Sequence, residues 1–330
     1  MRRREFIAFL GGAAAAWPLA ARAQRPDRMR HIGVLSAFAQ DTDESRRLIA
    51  VFLQGLQELG WTEGRNVRIE QRWSAGDPER LRSDARALAS MPADVVLAIA
   101  TPAVATLKEE APGIAVVFVA VSDPIGSGFI ANLPRPGGNI TGFVNLEGSL
   151  SGKWLELLKE VVPGLTHVGF MFNPETASFA EYYWRELEAA APSAAVTVTG
   201  MPVHDLGEVE SAIVGVKARP VGGLIVMPDT FMTINRRHII ALAARERLPV
   251  VYPNGATAKQ GGLIGYGIDN VESVRAAATY VDRILRGEKP GDLPVQTPTK
   301  FELVINLKTA KALGLEIPPS LLVRADEVIE

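Results

Sequence analysis

The chain has 330 residues, a formal net charge of −2 and no cysteine. The absence of thiols excludes disulfide bonds, thiolate metal sites and a cysteine nucleophile, and the slightly acidic balance offers no basic surface for a nucleic acid. Because a chain of this length exceeds one ordinary hydrophobic core, we expect two lobes.

The first 23 residues predict an export signal. Arg2 to Arg4 precede an apolar stretch over 6–16, and Ala21-Arg22-Ala23 has the small-x-small pattern that a signal peptidase cuts. Arg3-Arg4-Glu5-Phe6-Ile7 is similar to the twin-arginine signal, with an ordinary secretory leader as the alternative. The apolar stretch is shorter than the roughly 20 residues that a membrane span needs. We expect cleavage after Ala23 and a periplasmic mature chain.

From residue 30 to residue 144, apolar strands alternate with helices that bury one face. Leu48, Phe52 and Leu56 recur at helical spacing and predict a helix over 43–60. Asp77-Pro78 and Thr101-Pro102 each predict a helix start, because a short polar side chain caps the first turn and proline suits its first position. The predicted strands cover 31–35, 67–73, 94–99 and 114–121.

After residue 144 the alternation of strand and helix begins again. Strand starts near 167, 196, 223 and 250 give a spacing of roughly 27 residues, which is typical of βαβ units with parallel strands. The predicted helices cover 150–162, 177–191, 206–217 and 233–246. A tail with strands over 263–267 and 301–305 and a helix over 271–286 has too few elements for a domain, so we expect it to complete the two sheets. The sequence thus predicts an α/β fold in which each lobe is a mostly parallel sheet with helices on both faces.

Short polar residues follow the carboxyl ends of the predicted strands, where open parallel sheets bind ligands. Two lobes that turn these ends towards each other would form a cleft. The polar candidates for ligand binding are Ser36, Thr101, Ser122, Asp123, Asn173, Asp229, Thr230 and Asn254. Phe38, Tyr252 and Tyr266 are candidates for flat apolar walls, although a core position explains each of them equally well.

Asp123 stands out because it lies in the stretch SDPIGSGFI, directly after a buried strand. The neighbouring proline fixes the backbone, and the two glycines allow a close approach to a ligand. The alternative is that Asp123 only caps the next helix.

Thr101, Pro102 and Ala103 lie at a predicted helix N-terminus, where free amides and a hydroxyl favour an anion. The alternative role is a helix cap alone. Asp229 repeats the carboxylate at a strand end in the second half, where it would suit an ammonium group, and a solvent-facing loop acid is the alternative.

Motifs for cofactor binding and catalysis are missing. Gly126-Ser-Gly128 lacks the spacing of a dinucleotide fingerprint, and no G-x-S-x-G nucleophile elbow occurs. The four histidines are far apart in sequence. We therefore expect no catalytic residue, no metal site and no cofactor.

Five segments resemble the substrate-binding proteins of bacterial ABC importers, in the branch that includes the tryptophan/tyrosine-binding proteins. They are TPAVATL (101–107), VSDPIGSGFI (121–130), PGGNITGF (136–143), 269–295 and INLKTAKALGLEIP (305–318). The resemblance implies a two-lobed periplasmic-binding-protein-like fold of type I, with lobe 1 over 30–144 plus 262–293 and lobe 2 over 145–261 plus 294–330. The loop SAFAQDTDES (36–45) lacks the aromatic-and-proline stretch expected of amino-acid binders. The sequence therefore does not identify the ligand.

The resemblance implies a monomer that captures a small polar or amino-acid-like ligand, aromatic ones included, and delivers it to an ABC permease. Thr101 and nearby amides would hold the carboxylate, and Asp123 or Asp229 would hold the ammonium group. A receptor for a membrane signalling partner is one alternative. A hydrolase is the other, and it would need Asp123 and Asp229 within about 5–10 Å of each other.

Overall fold

Two sheets organise residues 28–145 and 147–330, which the computed structural model describes. The predicted leader and its cleavage site after Ala23 lie outside these residues. Within the described part of the chain, no helix has the length and apolar character needed to cross a membrane.

The first sheet has five strands in the order β2-β1-β3-β4-β5, and all neighbours are parallel. Its strands are β1 (Arg30–Ser36), β2 (Val67–Trp73), β3 (Val95–Ile99), β4 (Val116–Val121) and β5 (Ile140–Val144). The helices between them are α1 (Asp43–Glu58), α2 (Pro78–Ser90) and α3 (Thr101–Glu110).

The second sheet has seven strands in the order β12-β11-β10-β9-β8-β6-β7, and only the β10–β11 pair is antiparallel among them. Its strands are β6 (His167–Phe172), β7 (Thr197–Pro202), β8 (Gly222–Val226), β9 (Val250–Tyr252), β10 (Ile264–Gly267), β11 (Glu302–Asn306) and β12 (Glu327–Ile329). The remaining helices are α4 (Leu150–Val161), α5 (Ala180–Ala190), α6 (Leu206–Lys217), α7 (Thr230–Ile234), α8 (Arg236–Arg245), α9 (Gly255–Lys259), α10 (Asn270–Leu285), α11 (Leu307–Leu313) and α12 (Pro319–Arg324). The prediction of an α/β fold with two mostly parallel sheets is confirmed.

Each sheet with its helices forms one lobe. Lobe 1 is the five-stranded sheet with α1, α2, α3 and α10, and lobe 2 is the seven-stranded sheet with the other helices. The chain passes between the lobes after β5, after β10 and before β11. Among the described residues, these three crossing segments cover 145 with 147–149, 268–269 and 297–301.

Helix α10 completes lobe 1 although it lies more than 200 residues after α1. It packs on α1 so closely that a Cβ added to Gly55 would lie 2.9 Å from the Cβ of Ala278. Trp61 Nε1 also donates a hydrogen bond of 2.8 Å to Asp282 Oδ1 in α10. Phe52 of α1 and Val281 of α10 are fully buried in one core cluster with the strands.

Three local predictions need correction. Strand β10 lies in the predicted lobe 1 segment 262–293, but it pairs with β9 and β11 in the second sheet. The tail therefore adds strands to the second sheet only. Thr101 was predicted to cap its helix, but it is the first residue of α3, and the cap position is Ala100, which lacks a capping side chain. The helix predicted over 233–246 is two helices, because Asp229 caps an earlier turn that ends at Asn235.

Candidate functional site

The carboxyl ends of both sheets enclose a small cavity between the lobes, hereafter the central cavity. Its volume is about 40 Å³. Lobe 1 contributes Phe38, Glu44, Ala100, Thr101 and Ala120. Lobe 2 contributes Phe179, Pro228, Asp229, Thr230, Thr233, Pro253 and Asn254. Asn145 and Ile268 line it where the chain crosses between the lobes, and Asn270 lines it from the start of α10.

The structure brings five of the predicted site residues together in the wall of the central cavity. They are Phe38, Thr101, Asp229, Thr230 and Asn254. The other eight predicted residues do not line this cavity. They are Ser36, Pro102, Ala103, Ser122, Asp123, Asn173, Tyr252 and Tyr266.

Asp123 faces a different space. It lines a separate crevice of about 800 Å³ between α3 and α5, hereafter the side crevice. Its Oδ1 accepts a hydrogen bond of 2.8 Å from the backbone N–H of Gly126, so the carboxylate closes its own turn. The Asp123 backbone has a φ of 43°, which is uncommon for a residue with a side chain.

Ser122 connects the two lobes. Its hydroxyl lies 2.9 Å from the hydroxyl of Tyr183 in α5, and both residues are buried. Burial raises the pKa of Tyr183 far above its ordinary value, so this phenol stays protonated. The contact is therefore a neutral hydrogen bond between the lobes.

Several other candidates support the wall of the cavity from behind. Ser36 Oγ accepts a hydrogen bond of 3.1 Å from the backbone N–H of Phe38. Asn173 Oδ1 accepts from the N–H groups of Glu175 and Thr176 at 2.8 and 3.1 Å. These contacts fix the backbone of the loops that carry the cavity residues.

The remaining candidates belong to the cores of the lobes. Ala103 and Tyr252 are buried, and burial raises the pKa of the Tyr252 phenol. Tyr266 stacks on Phe301 with ring centroids 6.1 Å apart. Pro102 occupies the first turn of α3. The prediction of Tyr252 and Tyr266 as walls is thus not met in the central cavity.

Asp229 is buried with its oxygens already occupied by protein donors. Oδ1 accepts from the backbone N–H of Met232 at 2.8 Å and from the Thr176 hydroxyl at 3.2 Å. Oδ2 accepts from the backbone N–H of Asn173 at 3.0 Å. Burial nevertheless raises the pKa of Asp229 from 3.8 to about 6. Its observed contacts are those of a cap for α7.

Sequence reasoning missed four polar residues of the cavity, Glu44, Asn145, Thr233 and Asn270. Glu44 and Asn270 lie in the first turn of a helix, α1 and α10 respectively. The side-chain oxygen Oδ1 of Asn270 is buried and has no hydrogen-bond partner among the described residues. A buried acceptor without a partner costs free energy, so it marks a position where a donor from a ligand would be stabilised.

The predicted carboxylate pair of a hydrolase does not share one space, because Asp123 lines the side crevice and Asp229 the central cavity. The two carboxylates of the central cavity are Glu44 and Asp229. Glu44 forms an ion pair with Arg236. Over residues 28–145 and 147–330, no group of three or more His, Asp or Glu side chains is arranged to hold a metal ion.

The family model described as ABC transporter substrate binding protein matches residues 37–329. The chain belongs to this family. A tyrosine-binding protein of Clostridioides difficile (strain R20291) is 25% identical over 268 residues, which are 80% of this chain and 76% of that protein. The family and these similarities confirm the predicted resemblance.

Solved structures of the family share the fold. The ABC domain from Streptococcus pneumonia in complex with L-Trp is 27% identical and has a TM-score of 0.84 over 91% of this chain and 100% of that chain. The ligand-free, open structure of a substrate binding protein with adhesive properties from Clostridium difficile is 24% identical. Its TM-score is 0.67 over 91% of this chain and 99% of that chain. The predicted two-lobed periplasmic-binding-protein-like fold of type I is confirmed.

The central cavity between the lobes has a volume of only about 40 Å³, so the two lobes lie close together in this structure.

Proposed function

We propose that the mature chain is exported to the periplasm, binds an amino-acid-like ligand in the central cavity and delivers it to an ABC permease. The observation that carries the proposal is the unpartnered Asn270 Oδ1 in a cavity built from the strand ends of both lobes. Two findings support the proposal. The chain belongs to the family of ABC transporter substrate binding proteins, and it is similar to a tyrosine-binding protein and to a domain in complex with L-Trp.

The ligand carboxylate binds at the N-terminus of α3 in this proposal. Thr101 Oγ1 accepts a hydrogen bond of 3.3 Å from the backbone N–H of Ser122, so the hydroxyl can donate its own proton to the ligand. The first-turn amides and the dipole of α3 favour an anion at the same end. Thr101 keeps the role that the sequence predicts, although it does not cap the helix.

The ligand ammonium group binds at Glu44 and Asn270 in this proposal. Asn270 Oδ1 supplies an acceptor that no described residue uses, and Glu44 supplies a carboxylate. Asp229 is a weaker partner for an ammonium group, because three protein donors already bind its oxygens. An ammonium donor thus satisfies the buried amide oxygen, and Glu44, whose Oε2 pairs with Arg236, adds its second carboxylate oxygen as a further acceptor.

The side chain of the ligand lies between Phe38 of lobe 1 and Phe179 of lobe 2. Two rings from opposite lobes suit a flat apolar group, which supports an aromatic amino acid as the substrate class. At about 40 Å³ the closed cavity has room for only a few water molecules. The lobes must therefore separate before such a ligand can bind, and closure then shifts the population towards the liganded form.

A receptor that presents its closed form to a membrane signalling partner would need the same ligand-binding cavity. Transport and signalling differ in the membrane partner that the closed form contacts. Loss of ligand uptake after deletion of the cognate permease supports transport, and unchanged uptake supports the receptor.

The direct test is calorimetric titration of the chain from Gln24, after unfolding and refolding to remove any captured ligand. The screen compares aromatic, aliphatic and acidic amino acids, amides and sugars. We expect aromatic amino acids to bind and to add about 2.7 kcal/mol of stability at a hundredfold excess over Kd. If none of the amino acids in the screen binds, the proposal is overturned.

Asn270→Ala tests the site itself. The variant removes the unpartnered oxygen and should raise Kd about tenfold, the effect of losing one charge-assisted hydrogen bond. Gln54→Ala on the exposed surface of α1 is the matched control and should bind as the parent chain does. Equal affinities of the two variants would remove Asn270 from the site.

A further inference from the structure

One ion pair joins the two lobes at the edge of the central cavity. Arg236 Nη1, at the start of α8 in lobe 2, donates to Glu44 Oε2, in the first turn of α1 in lobe 1. The side chains are 13% and 31% exposed, respectively, so the pair is partly shielded from water. We call this contact the interlobe ion pair.

Each partner is held from its own lobe. Arg236 Nε donates a hydrogen bond of 3.0 Å to Gln260 Oε1, which lies just after α9 in lobe 2. Glu44 lies in the first turn of α1, where the helix dipole stabilises a carboxylate. The two charges therefore meet only when the lobes are close together.

The interlobe ion pair lies where the central cavity meets a second space. This space is a crevice of about 350 Å³, hereafter the mouth crevice, and it shares Phe38, Glu44 and Thr233 with the central cavity. Arg236 and Gln260 line the mouth crevice. Among the described residues that line it, none belongs to a crossing segment, although Glu44 also lines a neighbouring crevice with Ile268 and Asp269 of the second crossing.

We propose that the interlobe ion pair closes the mouth of the central cavity and slows the escape of the bound ligand. Opening the lobes separates Glu44 from Arg236 and returns both charges to water, whereas closure forms a charge-assisted hydrogen bond across the exit. Glu44 also lines the central cavity, so the same residue borders both the ligand space and its exit. The retention of ligand rests on the proposed function, but the effect of the pair on lobe closure does not.

Lobe closure can be measured without any ligand. The chain has no cysteine, so Gln54→Cys in lobe 1 and Ser211→Cys in lobe 2 provide two unique sites for spin labels. Distance distributions between the labels report the open and closed populations. We expect Glu44→Gln and Arg236→Gln each to increase the ratio of open to closed forms about tenfold, the effect of one charge-assisted hydrogen bond.

The matched control is an Arg–Glu pair within lobe 1. Arg86 Nε and Nη2 contact Glu110 at 2.7 and 2.8 Å, so Glu110→Gln removes a comparable pair without crossing the cleft. This variant should leave the distance distribution unchanged. The exchanged double variant, Glu44→Arg with Arg236→Glu, should restore at least part of the closed population, which a purely structural role of either residue would not allow.

Stopped-flow dissociation of a bound aromatic amino acid tests the effect on retention. We expect a dissociation rate about ten times faster in both single variants, with the rate of Glu110→Gln unchanged. Distances in the single variants that match those of Glu110→Gln would overturn the role in closure, whatever the ligand is. Shifted distances with unchanged dissociation rates would overturn the role in retention.

Discussion

Asp229 combines opposing influences at one buried carboxylate. Its oxygens accept from two backbone N–H groups and the Thr176 hydroxyl, and these contacts stabilise the charged form. Burial acts in the other direction and is the largest effect, so the pKa rises from 3.8 to about 6. The cap of α7 thus operates close to the pH at which it takes up a proton.

This raised pKa predicts how stability depends on pH. Between the unfolded pKa of 3.8 and the folded pKa of about 6, the native chain binds more protons at Asp229 than the unfolded chain does. The contribution of Asp229 to the free energy of unfolding therefore falls by roughly 2 kcal/mol as the pH rises from about 4 to about 6. Urea unfolding across this range measures the change.

Asp229→Asn provides the comparison for that series. It cannot titrate, so the difference in unfolding free energy between parent and variant should carry the pH dependence of Asp229 alone. Parallel stability curves for the two proteins between pH 4 and pH 6 would contradict the raised pKa.

At the scale of elements, periodicity and caps predicted most helices and strands. Leu48, Phe52 and Leu56 define α1, and Asp77 with Pro78 begins α2 as the sequence indicates. Partners in a sheet are harder to predict, because an apolar run such as that of β10 shows a strand but not its neighbours. The antiparallel pairing with β11 placed β10 in the second sheet.

The candidate site could be predicted only in part. The rule that ligands bind beyond strand ends led to Phe38, Thr101 and Asp229, which line the central cavity. It could not lead to Glu44 and Asn270, because these residues reach the cavity from the first turns of helices. Only the packing of one lobe on the other selects them.

Gly142 in β5 allows an unusually close approach to β4. Its φ is +153°, and a Cβ added there would lie 2.2 Å from the carbonyl oxygen of Phe118. The register between the two strands shifts between Phe118 and Val121. We expect Gly142→Ala to lower the free energy of unfolding by at least about 2 kcal/mol, measured by urea unfolding.

Gly215 is the matched control for this substitution. It lies in α6, and an added Cβ would meet nothing within 4 Å. Gly215→Ala should raise the free energy of unfolding by up to about 1 kcal/mol, because alanine has the higher helix propensity. A Gly142→Ala variant as stable as Gly215→Ala would show that the close approach to β4 is not needed.

At the scale of the whole molecule, the route of export is testable from the leader. If Arg3-Arg4 is a twin-arginine signal, replacement of both by lysine should leave the full-length chain in the cytoplasm. The parent chain should appear in the periplasm with Gln24 as its first residue, as shown by fractionation and mass spectrometry. Equal export of the two chains would favour the ordinary secretory leader.

The late position of α10 sets the order in which the molecule can be built. Trp61 and Asp282, which are bonded across the contact between the α1 region and α10, are 221 residues apart. At 5–20 residues per second, a ribosome needs roughly 10–45 s to make the chain between them. Throughout that interval the apolar face of α1 lacks helix α10, which covers it in the folded protein. Lobe 1 is made first but is finished almost last, so its folding is timed by the synthesis of lobe 2 and not by its own emergence from the ribosome.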